Sequence, residues 1–186
     1  RHDDSMLKSR DDNISPRFGV ILKPLETVSV YGSYSITHQP RGGDQLKSLT
    51  LSNAALKPEK FTNMEAGVKV DVLDNLSFTT AFFQLDRTNM ILTGAAAGDA
   101  VLGKGSRTRG VEVGLQGQLT DKWNILASYT YMKGTLSANS NSNAGNTLKE
   151  TPKNMYAVWN RYDVTPWFGA AFGVVGRSAM FTKEDN

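Results

Sequence analysis

Only two histidines, His2 and His38, could supply imidazole chemistry in this chain. His38 lies beside "QPRGGD" in a polar stretch, and a Ser-His-Asp hydrolase would need it next to an activated serine. No G-x-S-x-G elbow accompanies it, so a solvated loop histidine is the simpler reading. "GKGSRTRG", Gly103 to Gly110, has the glycines and lysine of a phosphate-binding loop. It lacks the G-x-x-x-x-G-K-[ST] spacing and no helix follows, so it reads as a loop entering a strand. The acid pairs Asp3-Asp4 and Asp11-Asp12 lack the ligand spacing of a calcium loop. "GAAAG", Gly94 to Gly98, fits GxxxG by letter alone because no apolar helix surrounds it. Cysteine is absent, which removes disulfides, thiolate metal sites and cysteine nucleophiles together. The side chains offer no catalytic set, no metal centre and no cofactor site, and the expectation is a protein that is not an enzyme.

The chain has 186 residues, enough for one domain with a sizeable core. Its formal net charge of +3 comes without any Lys/Arg block, so no nucleic-acid partner is expected. No run of about 18 apolar residues exists, which excludes a transmembrane helix. Transmembrane barrels escape this test, because their strands alternate and average out to a polar composition. The chain opens at Arg1 without an initiator Met or signal sequence and stops at "KEDN". It is expected to be an internal piece of a longer protein.

Positioning falls to strands. Alternation predicts them over Ser15 to Lys23, Val28 to Thr37, Phe61 to Val72, Leu76 to about Ile91, Arg107 to Leu119, Trp123 to about Met132, Lys153 to about Val164, and Phe168 to Arg177. That is about eight strands and no helix. The connections are short near Leu25, Asp74, Asp121 and Pro166. They are long after Thr37, after Ile91 ("TGAAAGDAVLGKGS") and after Met132 ("GTLSANSNSNAGNTLKE", too rich in Ser, Asn and Gly to bury a core). Each strand reverses direction, so short turns gather at one end of the sheet and long loops at the other. This is the pattern of outer-membrane barrels.

Val28, Val30, Val68, Val70, Val111, Val113 and Leu115 share the apolar face, with Glu65, Lys69, Asp71, Glu112 and Gln116 opposite. Alternation alone does not separate a soluble sandwich from a membrane barrel. Aromatics near strand ends (Phe61, Trp123, Tyr129, Tyr131, Trp159, Tyr162, Trp167, Phe168) suit the girdles of a barrel at the lipid interfaces. Charges at mid-strand suit a wet lumen. On the barrel reading the first set meets lipid and Glu65, Lys69, Asp71, Glu112 and Gln116 face the lumen.

Three stretches together resemble the barrel of TonB-dependent siderophore receptors. "LKPEKFTNMEAGVKVDVLDNLSFTTAFFQLDRTNM" (Leu56 to Met90) has the Pro-Glu pair, the strand with Asn, Glu, Gly and Lys, and the closing Asp-x-x-Asn. "GKGSRTRGVEVGLQGQLTDKWNILASYTYMKG" (Gly103 to Gly134) is similar to the following pair, with its Arg-Gly-x-Glu strand and Trp-containing turn. "TPKNMYAVWNRYDVT" (Thr151 to Thr165) resembles the next strand, and the upstream "SPRFGVILKP…SVYGSYS" also fits. The resemblance spans about Ser15 to Arg177 in the family's order.

It implies an all-β, antiparallel up-and-down transmembrane β-barrel, of which this chain would supply about eight of 22 strands. Residues 1–14 would be a loop region, 15–177 part of the barrel, and 178–186 the start of a further surface loop. The implied function is TonB-dependent import of a ferric siderophore, catecholate type included, across the outer membrane of a Gram-negative cell; the alternative is a passive porin-like channel. The implied partners are the ferric siderophore, the TonB complex through a plug outside this chain, and outer-membrane lipid and lipopolysaccharide. A ferric catecholate complex is bulky and anionic and would be drawn to basic and aromatic groups on the loop side. His38, Arg41, Lys47, Lys104 and Arg107 occupy such places and are the candidate ligand residues.

Overall fold

Runs of Val, Tyr, Phe and Thr at a period of two form strands because branched and aromatic side chains fit a pleated surface. The computed structural model describes residues 11–40, 57–93, 100–103, 105–137 and 144–183. Its strands are β1 (Arg17–Leu25), β2 (Val28–Gln39), β3 (Glu59–Leu73), β4 (Leu76–Thr88), β5 (Met90–Thr93), β6 (Ala100–Gly103), β7 (Ser106–Thr120), β8 (Trp123–Leu136), β9 (Asn154–Thr165) and β10 (Phe168–Arg177). Eight of them form one antiparallel meander in the order β1-β2-β3-β4-β7-β8-β9-β10. β5 and β6 make a separate two-stranded ribbon within the connection from β4 to β7.

Most strand ends fall within two residues of the sequence expectation, β8 runs on to Leu136 into the stretch expected to be a loop, and two further differences have a local reason. The strand expected to run from Leu76 to Ile91 breaks at Asn89, whose φ of 60° is left-handed and ends the pleat. The chain then starts β5, and the stretch expected to be a Gly/Ala-rich loop contains β6. At the other end of the sheet, β1 continues through Pro24 to Leu25 instead of ending before the proline. Proline has no N–H to give a ladder, but β1 is an edge strand. Its register also shifts there, from Leu22↔Val30 to Leu25↔Val28.

Pairs of residues make all four short turns: Glu26-Thr27, Asp74-Asn75, Asp121-Lys122 and Pro166-Trp167. None places a residue at positive φ, so the mirror-image turns that match strand twist are not used. A register shift adjoins each turn and absorbs the mismatch. Beside the Asp74-Asn75 turn, Gly117 has a φ of 137°, and the next residue's N–H (Gln118) donates to the Asn75 carbonyl at 2.8 Å. A Cβ on Gly117 would collide with that carbonyl oxygen.

One layer of sheet has nothing to form a core against. Among described residues the buried apolar side chains are Leu76, Ala81, Met90 and Leu136. Large apolar groups stand open instead, with Phe82 and Phe172 each 66% exposed. Register sorts them. The rows Val28–Val70–Phe78–Leu115–Ala127–Val158 and Val30–Val68–Thr80–Val113–Tyr129–Tyr156 lie on one face. Glu65, Lys69, Asp71, Glu112 and Gln116 lie on the other, by the same pairings. Of the expected girdle, Trp123 and Tyr162 pair on the apolar face near the short turns. Phe61 and Trp159 fall on the polar face, because each is one residue out of step with its apolar neighbours.

Replacing Gly117 by Ala should therefore destabilise the assembled protein by about 2 kcal/mol, the cost of a non-glycine residue in a forbidden conformation. Gly19→Ala should be nearly silent, since its Cβ would meet only the Gly32 carbonyl at 3.8 Å. Urea midpoints in detergent micelles compare the two; equal losses would contradict the close approach at Asn75.

Candidate functional site

The polar face is assembled from side chains that alternate with the apolar set, and cross-strand partners hold most of them. At mid-height the Tyr31 hydroxyl donates to Glu65 Oε1 at 2.6 Å. The ring can lie flat because its opposite residue is Gly67, where a Cβ would stand 2.7 Å from the ring. Ala81 and then Glu112 continue that row across β4 and β7. Nearer the short turns, the Ser77 hydroxyl donates to Asp71 Oδ1 at 2.6 Å and Lys69 Nζ lies 3.3 Å from the same oxygen. Gln116 sits opposite Ser77 on β7. On β9, Arg161 Nε is 2.9 Å from Asp163 Oδ1.

Toward the long loops, Arg87 gives Nε and Nη2 to Glu59 Oε2 at 3.0 and 2.7 Å, and its Cζ lies 5.6 Å from the Phe61 ring centroid. Glu59 is buried. The Asn89 amide donates to the Pro58 carbonyl at 3.0 Å and fixes the corner where β4 leaves the sheet. Across the sheet, residues after Gly145 fold back over the end of β8. The Leu148 N–H donates to the Gly134 carbonyl, and Leu148 packs where a Gly134 Cβ would be 3.0 Å away. The second half of the Ser/Asn-rich stretch is thus tied down, with Leu136 buried near it.

Of the five basic candidates, Arg41, Lys47 and Lys104 lie outside the described residues. His38 ends β2 opposite Lys60, on the face of Val28 and Val30, with Nδ1 3.4 Å from Ser15 Oγ. Arg107 is likewise on the face of Val111 and Val113, and its Nε pairs with Asp86 Oδ1 at 2.5 Å. Both therefore point away from the polar face. The period of two already contained this, since 107, 109 and 111 share a parity. The Arg87–Glu59–Phe61 group was missed because β4 has aromatics on both faces, Phe78 and Phe82 on one and Phe83 on the other. Its parity could not be read without a partner.

A one-layer antiparallel meander, apolar on one face and polar on the other, with short turns at one end, is the wall of a transmembrane β-barrel. Residues 1–186 match the family model described as TonB dependent receptor-like, beta-barrel. The chain belongs to that family, and its place is the outer membrane. It is 32% identical over 185 residues to the probable TonB-dependent siderophore receptor PiuA of Acinetobacter baumannii, a match covering 90% of this chain and 25% of that protein. The crystal structure of PiuA from the same organism aligns with a TM-score of 0.77 at 31% identity, over 87% of this chain and 25% of that one. The catecholate siderophore receptor Fiu of Escherichia coli K12 is 29% identical over 156 residues, 79% of this chain and 20% of that protein. The chain spans about a quarter of the length of the curated relatives it matches first.

Arg87→Ala should cost about 2 kcal/mol, because it strips the guanidinium from the buried Glu59 carboxylate. Arg161→Ala, at a pair whose arginine is 62% exposed, should cost well under 1 kcal/mol. Unfolding in detergent ranks the two; the reverse order would contradict the burial of Glu59.

Proposed function

We propose that the protein containing this chain imports a ferric siderophore across the outer membrane, with energy from the TonB complex, and that this sheet is an arc of a larger barrel's wall. The arc comprises residues 15–177, with 1–14 and 178–186 in loops at its rim. Its apolar face meets lipid. Its polar face, with Glu65, Lys69, Asp71, Glu112 and Gln116, lines the lumen through which the cargo passes. The observation that carries the reading is the two-faced, single-layer sheet itself, taken with the siderophore receptors named among its relatives. The polar face is wet and its charges are mostly paired, which suits a path for a bulky anionic complex better than a tight site. A catecholate complex is the cargo class favoured by the likeness to Fiu. Of the basic candidates, Arg41, Lys47 and Lys104 would attract it to the loop side, whereas His38 and Arg107 are on the apolar face and would not line its path.

Deletion of the gene should abolish uptake of a radiolabelled ferric catecholate by iron-starved cells, and loss of TonB should do the same. Uptake that persists without TonB would overturn the reading in favour of a passive channel. Uptake untouched by the deletion for every ferric siderophore tested would remove iron as the cargo.

The assignment of faces has its own test. Val70→Arg in the full receptor should impair assembly, since Arg at the bilayer midplane of a barrel costs roughly 2–4 kcal/mol. Lys69→Ala should leave folding nearly unchanged. Similar defects from both, read as the heat-resistant band on gels, would contradict it.

A further inference from the structure

We propose that the polar face holds, near the short turns, a binding site for a neutral saccharide unit, with Trp159 as its stacking platform. This goes beyond the import reading and does not depend on which cargo is carried, since neither iron nor a charged group is needed to fill the site.

A hollow of about 530 Å³ lies on β7, β8 and β9, within the roughly 300–1,000 Å³ of small-molecule sites. Trp159 supplies its aromatic wall. The ring lies along the sheet over Gly173, where a Cβ would collide with it, yet Trp159 is still 54% exposed. One face of the indole is therefore turned to the wall and the other is open. The next row toward mid-height, Gly114–Ser128–Ala157, carries only small side chains, so that row leaves the ring uncovered. Leu126, the cross-strand partner of Trp159, is 53% exposed and extends the apolar floor.

Polar groups of both kinds surround this floor. Gln118 Oε1 accepts from Asn75 Nδ2 at 3.2 Å, which orients the Gln118 amide and leaves its NH2 group as a donor. Arg161 Nε donates to Asp163 Oδ1 at 2.9 Å, so the two charges cancel while the outer guanidinium N–H groups and Asp163 Oδ2 stay available. Among the described residues, the Gln116 and Asn124 carboxamides and the Trp159 indole N–H have no hydrogen-bond partner. A small ion would find each charge here already paired. A hydrocarbon would strip water from the amides without replacing its hydrogen bonds. A pyranose meets both demands. Its hydroxyls donate and accept, and the slightly positive C–H hydrogens of its flat face suit the negative face of the indole. A sugar carried on the cargo and a glycan strand of the cell wall share this chemistry.

The test uses the full-length receptor in a detergent without sugar head groups. Maltotriose and the trimer of N-acetylglucosamine are the probes, read by saturation-transfer NMR and titration calorimetry, which do not depend on iron uptake. At least one trimer should bind, and sorbitol, which has the hydroxyls but no ring face, should not. Trp159→Ala should weaken binding about tenfold, the loss of one aromatic contact. Gln116→Ala should weaken it about threefold, the loss of one hydrogen bond. Trp123→Ala, on the apolar face, should leave it unchanged. Heat-modified mobility on gels checks assembly; if Trp159→Ala fails it, Trp159→Phe, which keeps a smaller cover over Gly173, replaces it. Competition by soluble cell-wall glycan fragments would identify the wall as the source of the sugar. Slower uptake of a glycosylated ferric complex in Trp159→Phe cells, with the unglycosylated complex unaffected, would identify the cargo, and either result supports the site. No binding of either trimer, equal binding of sorbitol, or binding untouched in both the Trp159 and Gln116 variants would overturn the proposal.

Discussion

Hydrocarbon offers the backbone no water, so each N–H and C=O in the spanning region has to be satisfied within the sheet. Every other feature follows from that requirement. An unbroken antiparallel ladder fixes the side-chain period at two, and the period in turn forces a division into faces. It also explains where the sheet is allowed to be irregular. The register shifts lie beside the short turns, and the left-handed Asn89 lies where β4 leaves for the loop side. Polar atoms on the apolar face obey the same rule. The Trp123 indole N–H donates to Asn160 at 3.2 Å, and the Tyr129 hydroxyl donates to Asn154 at 2.7 Å.

With only one layer, packing has to be lateral. Four times an aromatic ring covers a glycine on the neighbouring strand: Tyr31 on Gly67, Phe83 on Gly110, Trp159 on Gly173 and Tyr156 on Gly176. The glycine is a weak strand residue, and the ring restores the cover that its missing side chain would have given. Cross-strand pairs of this kind contribute about 0.2–1 kcal/mol each. A sheet without a core relies on many such pairs rather than on a few buried residues. The arrangement also has a functional consequence on the polar face. Because Gly67 lets Tyr31 lie flat, the hydroxyl reaches Glu65 along the wall instead of projecting from it.

The architecture was legible in the residues because each strand carries its own clock. Val28 to Ile36 and Met64 to Val72 alternate without error, and two-residue turns at Asp74-Asn75 and Asp121-Lys122 set their pairing. What could not be read were features that depend on partners. β4 has apolar groups at consecutive positions, Phe82 and Phe83, so its parity became visible only when Phe82 was matched with Ala66 and Val111. The β5–β6 ribbon is short and lies in a stretch whose Gly and Ala content carries no period. The candidate ligand residues were chosen for charge and nearness to loops, and for Arg107 and His38 that choice ignored parity. Charge near a loop says which end of the barrel a residue occupies. Only the register says which side of the wall.

That distinction gives the two sides of the wall separate charge pairs near the long loops. On the polar side, Arg87 is spent on Glu59 and stacked on Phe61, so its charge is neutralised where cargo would pass. On the outward side, Asp86 pairs with Arg107 and also attracts Arg109, whose Nε donates to Gln84 Oε1. In the proposed lumen, paired charges would let an anionic complex move, because no single site would hold it strongly. The strand period separates the two sets of pairs completely. Neighbouring residues 109 and 110 lie on opposite faces of the sheet, and the Gly110 that lies under Phe83 on the polar face follows directly on the Arg109 that holds Gln84 on the apolar one.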